Sequence, residues 1–231
     1  MPILTGPRLM PRSGARPRQL VVLLHGFGAD GNDLIDLAQE WQPLLPDAAF
    51  VAPHAPEPCI QGFGRQWFSL TFRDPHERWR GVNRAGPTLD AFLDAELEAY
   101  GLGSHQLALV GFSQGCMMAL HVALRRPAPV AAVVGLSGML VMEEGQGPGN
   151  LGPDSLKPQV RSVPPILLAH GDQDEVIPVD ALFLSAEALA AADVPAEWHL
   201  SAGIGHGIDD GALLHGGRFL AAGFARAARR A

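Results

Sequence analysis

Apolar side chains fall into two rhythms along this chain. Short, nearly continuous aliphatic runs occur at Leu20–Leu24, Ala48–Ala52, Leu107–Val110, Val130–Leu136 and Ile166–Ala169; Glu197–Leu200 also reads as a strand, with a weaker candidate at Trp67–Thr71. Runs of this length and composition predict strands buried on both faces. Between them, Asp33–Leu45, Thr88–Tyr100, Gln114–Arg126, Val179–Ala192 and Asp209–Ala228 carry the longer spacing of helices. Strand and helix alternate from about Leu20 to the end, which predicts an α/β fold. The expected core is a mainly parallel central sheet of about six or seven strands, covered by helices on both faces. Residues 1–18 form a Pro/Arg-rich leader ahead of a single domain at 19–231, and no internal repeat is visible. Met142–Pro165 is a Gly/Pro-rich loop too short for a large helical cap domain, so a site beneath it should be open.

Composition narrows the function classes. At 231 residues, 47% apolar and 18% charged, the chain suits one large folded domain. A net charge of −7 argues against nucleic acid as a partner. Basic residues gather in the N-terminal arm (Arg8, Arg12, Arg16, Arg18) and at the C-terminus (Arg226, Arg229, Arg230), and both read as solvated tails. Cys59 and Cys116 are too few for a disulfide framework. The first 19 residues lack the apolar core of a signal peptide, and no run reaches membrane-spanning length. The expectation is a cytoplasmic protein without stable membrane insertion. There is no H-E-x-x-H, no paired C-x-x-C and no G-x-x-x-x-G-K-[ST], so neither a metal nor any other cofactor is expected.

Chemistry concentrates at Gly111-Phe112-Ser113-Gln114-Gly115, between the strand ending at Val110 and a helix that stops before Pro127. A Ser flanked by glycines at a strand-to-helix turn is the nucleophile elbow of α/β-hydrolases. The turn is too tight for side chains two residues to either side, and the helix start directs N–H groups toward developing negative charge. A hydroxyl needs a base, and the base an orienting acid; on this scaffold they follow in the order Ser, acid, His. His170-Gly171-Asp172-Gln173-Asp174 follows a strand and offers two carboxylates. Asp172 reads as a turn cap and Asp174, deeper in the loop, as the acid. Of the later histidines, His199 belongs to a strand pattern and His215 to the last helix. His206, in Gly203-Ile204-Gly205-His206-Gly207, is the candidate base. The oxyanion hole should combine the Gln114 N–H with one from His25-Gly26-Phe27-Gly28-Ala29-Asp30-Gly31, where Phe27 is the choice and His25 reads as structural.

These segments resemble the phospholipase/carboxylesterase family of α/β-hydrolases, which includes acyl-protein thioesterases and small bacterial carboxylesterases. The resemblance rests on Leu24–Asp33, Ala52-Pro53-His54-Ala55-Pro56, Gly111–Gly115, His170–Asp174 with Val176 and Pro178, and Gly205-His206, spread in order over most of the chain. Gly64–Ser69 and Gly205–Asp209 are closer to bacterial serine hydrolases. The resemblance implies a Ser113–His206–Asp174 triad, a Phe27/Gln114 oxyanion hole, and hydrolysis of carboxylic esters or thioesters through an acyl-enzyme. One departure, Trp67-Phe68-Ser69 in place of a Trp-Tyr-Asp-like segment, weakens transfer of substrate preference. Phe27, Phe63, Trp67, Phe68, Met139 and Leu140 are candidates for an apolar acyl wall, although each could equally belong to the core. The expected partner is a small-molecule or lipid acyl ester, and a homodimer is allowed but not specified. Two rival readings remain: a peptidase or acyltransferase on the same scaffold, and a non-catalytic binding protein.

Overall fold

The computed structural model describes residues 4–59, 63–71, 73–74, 76–143 and 156–230. Seven strands build its main sheet: β1 (Arg8–Leu9), β2 (Gln19–Leu24), β3 (Ala48–Val51), β6 (Leu107–Phe112), β7 (Ala132–Leu136), β8 (Ile166–Gly171) and β9 (Ala196–Ser201). A two-residue hairpin, β4 (Glu57–Pro58) with β5 (Arg65–Gln66), lies outside it. The spatial order is β1-β3-β2-β6-β7-β8-β9, with β1 antiparallel to β3 and every other pairing parallel. This is an α/β-hydrolase fold without a helical cap among the described residues.

Alternation along each strand divides the core in two. On β2, Leu20, Val22 and Leu24 face one layer and Val21 and Leu23 the other. The first layer is closed by α3 (Glu77–Tyr100), α4 (Gln114–Arg125) and α5 (Asp180–Ala191), the second by α1 (Gly31–Ile35), α2 (Leu37–Trp41) and α6 (Asp210–Ala228). Strands buried on both faces have no polar side to show, so their sequences read as unbroken apolar runs.

Several elements depart from the sequence reading. The helix expected over Asp33–Leu45 is two short ones, α1 and α2, meeting at Asp36. The helix expected from Thr88 begins at Glu77 and runs through Pro87. Its first turns bury Val82 and Ala85, and Gly81 lies so close to Phe68 that a Cβ there would meet the ring at 2.2 Å. That packing outweighs the hydrogen bond that Pro87 cannot make. Trp67–Thr71 is not a strand. The Gln114 side chain takes the Trp67 N–H (2.8 Å) and donates to the Phe68 carbonyl (2.8 Å), occupying groups that a ladder would need.

The basic N-terminal arm is not a solvated tail. Arg8 and Leu9 pair with β3, and the Arg8 guanidinium grips the Glu96 carboxylate with both prongs (2.5 and 2.6 Å). Arg16 donates to the Tyr100 carbonyl (2.9 Å). Of the loop over Met142–Pro165, positions 144–155 lie outside the described residues; Lys157–Gln159 forms one 3-10 turn.

Candidate active site

The central strand β6 delivers Ser113 at its C-terminal end, and α4 starts one residue later. Ser113 has φ 53° and ψ −114°, a backbone region that side chains disfavour. Its glycine neighbours explain how the turn closes. A Cβ on Gly111 would lie 2.2 Å from the Gly115 carbonyl oxygen, and one on Gly115 would lie 1.9 Å from that of Leu24. No L side chain fits either gap. Ser113 N–H donates to the Leu136 carbonyl (2.9 Å), fastening the elbow to β7. Its Oγ makes no hydrogen bond among the described residues, so the hydroxyl is not committed elsewhere.

The loops after β8 and β9 meet beside the elbow. Asp174 Oδ2 accepts from His206 Nδ1 at 2.7 Å. Asp174 Oδ1 accepts the N–H groups of Val176 and Ile177, both at 2.8 Å. Burial pushes the Asp174 carboxyl up, but the His206 bond and the two backbone N–H groups together outweigh it, holding the carboxyl below its ordinary range. A carboxylate on Nδ1 fixes the tautomer that leaves Nε2 as an acceptor. The His206 ring lies 5.0 Å from that of Phe112, the residue preceding Ser113. Asp172 is exposed and caps the neighbouring loop, accepting from the Gly203 N–H at 2.7 Å. His199 and His215 pack edge to face (5.5 Å) away from this pair.

The loop after β2 is held from three sides. His25 is fully buried: its Nδ1 donates to the Gly26 carbonyl (2.7 Å) and its Nε2 accepts the Ala55 N–H (2.9 Å). Burial lowers the His25 pKa, in keeping with a neutral scaffold ring. Trp67 Nε1 donates to the His25 carbonyl (2.9 Å), and Gly28 N–H donates to the Arg65 carbonyl (2.9 Å). Phe27 N–H and Gln114 N–H, the latter the first of α4, make no hydrogen bond among the described residues.

Residues 10–222 match the phospholipase/carboxylesterase family. The chain belongs to that family. Esterase YpfH of Escherichia coli is 28% identical over 193 residues, 84% of this chain and 78% of its own length. Acyl-protein thioesterase 1 of Schizosaccharomyces pombe is 30% identical over 164 residues, 68% and 69% of the two chains. The crystal structure of esterase PE8 superposes with a TM-score of 0.86 at 42% identity, covering 95% of this chain and 98% of that one.

Family membership makes this chain a hydrolase and leaves its acyl wall to be read from exposure. Trp67, Phe68 and Leu140 are buried in the core, 2% exposed or less. The fold needs them there: Trp67 ties the loop after β2, and Phe68 packs beneath Gly81. Phe63 is 92% exposed, while Phe27 and Met139 are half-buried against the core. Among the described residues, no three His, Cys, Asp or Glu side chains could hold a metal ion, and no helix is long and apolar enough to cross a membrane.

Four site-shaping residues escape the sequence reading. The buried His170 places Nε2 2.8 Å from the Ile177 carbonyl and 3.2 Å from Asp174 Oδ2, behind the acid. Ser137, at φ 45°, donates to the Gly207 carbonyl (2.8 Å), tethering the His206 loop to β7. The Gln114 amide fixes the Trp67-Phe68 backbone. Arg65 donates to the carbonyls of Ala55 and Pro56. His170-Gly171 borders the acid motif and could have signalled its role; Ser137 and Gln114 act through contacts distant in sequence, and Arg65 through carbonyls of the preceding loop.

Proposed function

We propose that this chain is a serine hydrolase cleaving carboxylic esters and thioesters of short-to-medium acyl chains through a Ser113–His206–Asp174 triad. The observation that carries this reading is the 2.7 Å bond from His206 Nδ1 to a buried, ionised Asp174, formed beside the elbow that presents Ser113. As Ser113 Oγ attacks the acyl carbon, His206 Nε2 takes its proton and Asp174 stabilises the resulting imidazolium without itself being protonated. The carbonyl oxygen becomes an oxyanion and accepts from the free N–H groups of Phe27 and Gln114. Collapse expels the alcohol or thiol, which takes the proton from His206, and leaves the acyl group on Ser113. Water repeats the sequence and releases the acid. Phe27, Phe63 and Met139 supply the apolar surface for the acyl chain. The names of the relatives, esterase and acyl-protein thioesterase, support both ester and thioester as substrates.

The test is incubation with a fluorophosphonate, followed by a panel of p-nitrophenyl esters and acyl thioesters of rising length. One covalent adduct on Ser113, with turnover lost in step, is expected. An adduct elsewhere, or turnover that survives full labelling, would overturn the assignment. Labelled protein that turns over none of the panel before labelling would favour a peptidase or acyltransferase.

A further inference from the structure

A second concave site lies at the opposite end of the sheet. It is a cavity of about 610 Å³, bounded by the segments entering β7, β8 and β9 and by the last turns of α6. Ser113, Asp174 and His206 follow the C-terminal ends of parallel strands, whereas this cavity opens at the N-terminal ends. The six residues of β8 alone separate the two sites by roughly 16 Å at the rise of a strand.

The walls are mostly apolar, with Val130, Pro165, Pro195 and Phe219 among them. Arg226, Arg230 and His105 supply basic groups, and Glu197 is the acidic one. Glu197 has its own partner in His215 Nε2, 3.8 Å away. Arg226 stacks its guanidinium 5.7 Å from the centre of the Phe219 ring. Its Nε and Nη2 are shut off from solvent and have no hydrogen-bond partner among the described residues. Those two atoms share one edge of the guanidinium, the edge that takes a carboxylate side-on with two parallel bonds. A cation on a lysine-free apolar wall, with that edge unsatisfied, is costly unless an anion completes it.

We propose that this cavity binds a monoanionic carboxylate carried on an apolar body, such as an alkanoate, with Arg226 as its anchor. The charge balance selects the class. Glu197 in the wall opposes a dianion such as phosphate, while Val163, Pro165 and Pro195 offer a hydrocarbon chain an apolar surface. Binding requires a small rotation of the guanidinium over Phe219 to expose its Nε/Nη2 edge. The inference stands apart from the hydrolase reading, because none of these residues belongs to the catalytic constellation.

The experiment is calorimetric titration of the full chain with octanoate, 1-octanol and octylammonium, repeated for Arg226→Met and Ala227→Trp. Arg226→Met keeps the aliphatic stem and removes the anchor, whereas Ala227→Trp fills the cavity and keeps the charge. Octanoate should bind, with 1-octanol at least tenfold weaker. Arg226→Met should weaken octanoate roughly tenfold or more, the value of one charge-assisted hydrogen-bonded contact, and Ala227→Trp should abolish it. Both variants should keep the parental ester turnover. A diazirine-bearing alkanoate should cross-link to segment 219–230. Octanoate binding unchanged in both variants, equal binding of 1-octanol, or cross-links confined to the Ser113 side would overturn the proposal.

Discussion

Replacing Ser113 by glycine should make the protein more stable than replacing it by alanine, although both should be inactive. The backbone there, at φ 53° and ψ −114°, costs a residue with a Cβ about 1–3 kcal/mol. Alanine keeps that strain, and glycine relieves it. Two effects oppose the gain. The site is only 9% exposed, so loss of the methyl group forfeits up to about 0.8 kcal/mol. The freer unfolded chain of a glycine variant takes a further ~0.5–1 kcal/mol. For mid-range strain of about 2 kcal/mol the balance is about 0.2–0.7 kcal/mol in favour of glycine, which in a domain of this size raises Tm by about 1–2 °C. Urea unfolding and thermal melts of the two variants, side by side, measure it. Ser113→Gly melting at or below Ser113→Ala would refute mid-range strain at the elbow and cap it below about 2 kcal/mol.

Other consequences follow from the same geometry. Asp174→Asn should lower kcat/KM on a p-nitrophenyl ester by about 10²–10⁴-fold through loss of the tautomer-fixing acceptor; Asp172→Asn, which loses only a loop cap, should stay within about threefold. The reverse order would reassign the acid. Gly115→Ala drives a Cβ into the Leu24 carbonyl and should cost more than about 3 kcal/mol or prevent folding; a variant as stable as the parent would disprove the tight elbow. Burial, helped by the Arg125 charge, lowers the His121 pKa to about 3. The folded state therefore refuses a proton that the unfolded chain accepts near ~6.5, and stability is lost as pH falls from there toward 3. By pH 5 the loss is about 2 kcal/mol relative to pH 8, and urea midpoints of His121→Leu should lack that component. An unchanged pH dependence would mean that the ring is protonated in the folded state.

How much of this was legible in the sequence depends on whether the signal is local. The strand–helix alternation, the elbow at Ser113 and the sequence order of Ser113, Asp174 and His206 can be read because each depends on neighbours in the chain. The expected alternation corresponds to the seven-stranded, mainly parallel sheet. What cannot be read this way depends on distant partners. Trp67–Thr71 has strand-like composition, yet one glutamine 47 positions later claims its backbone. Arg8 looks like part of a solvated arm until Glu96, 88 residues on, appears beside it. Pro87 suggests a helix boundary, but tertiary packing of Gly81 and Val82 carries the helix through. The acyl wall was the least legible, because an aromatic side chain reads alike whether it lines a pocket or fills a core.

The acid–base pair carries a consequence for pH. Asp174 is buried, which alone would raise its pKa, yet three hydrogen bonds to its oxygens hold it below the ordinary carboxylate value. Its ionised form therefore stabilises the fold at and above the unfolded value of ~3.9, and that contribution is lost only as pH falls below this toward the depressed folded value. Between pH 5 and 8 the carboxylate does not change state, so it cannot be the source of a titration there. An imidazole is the unperturbed side chain that can be. Any limb that kcat/KM on a neutral ester shows inside that range therefore reports a group other than Asp174. In Asp174→Asn the plateau should fall, because the acceptor that orients the imidazole and stabilises the imidazolium is lost. A plateau unchanged in Asp174→Asn would refute the pairing of this carboxylate with the base, and the 2.7 Å contact to His206 would then be structural alone.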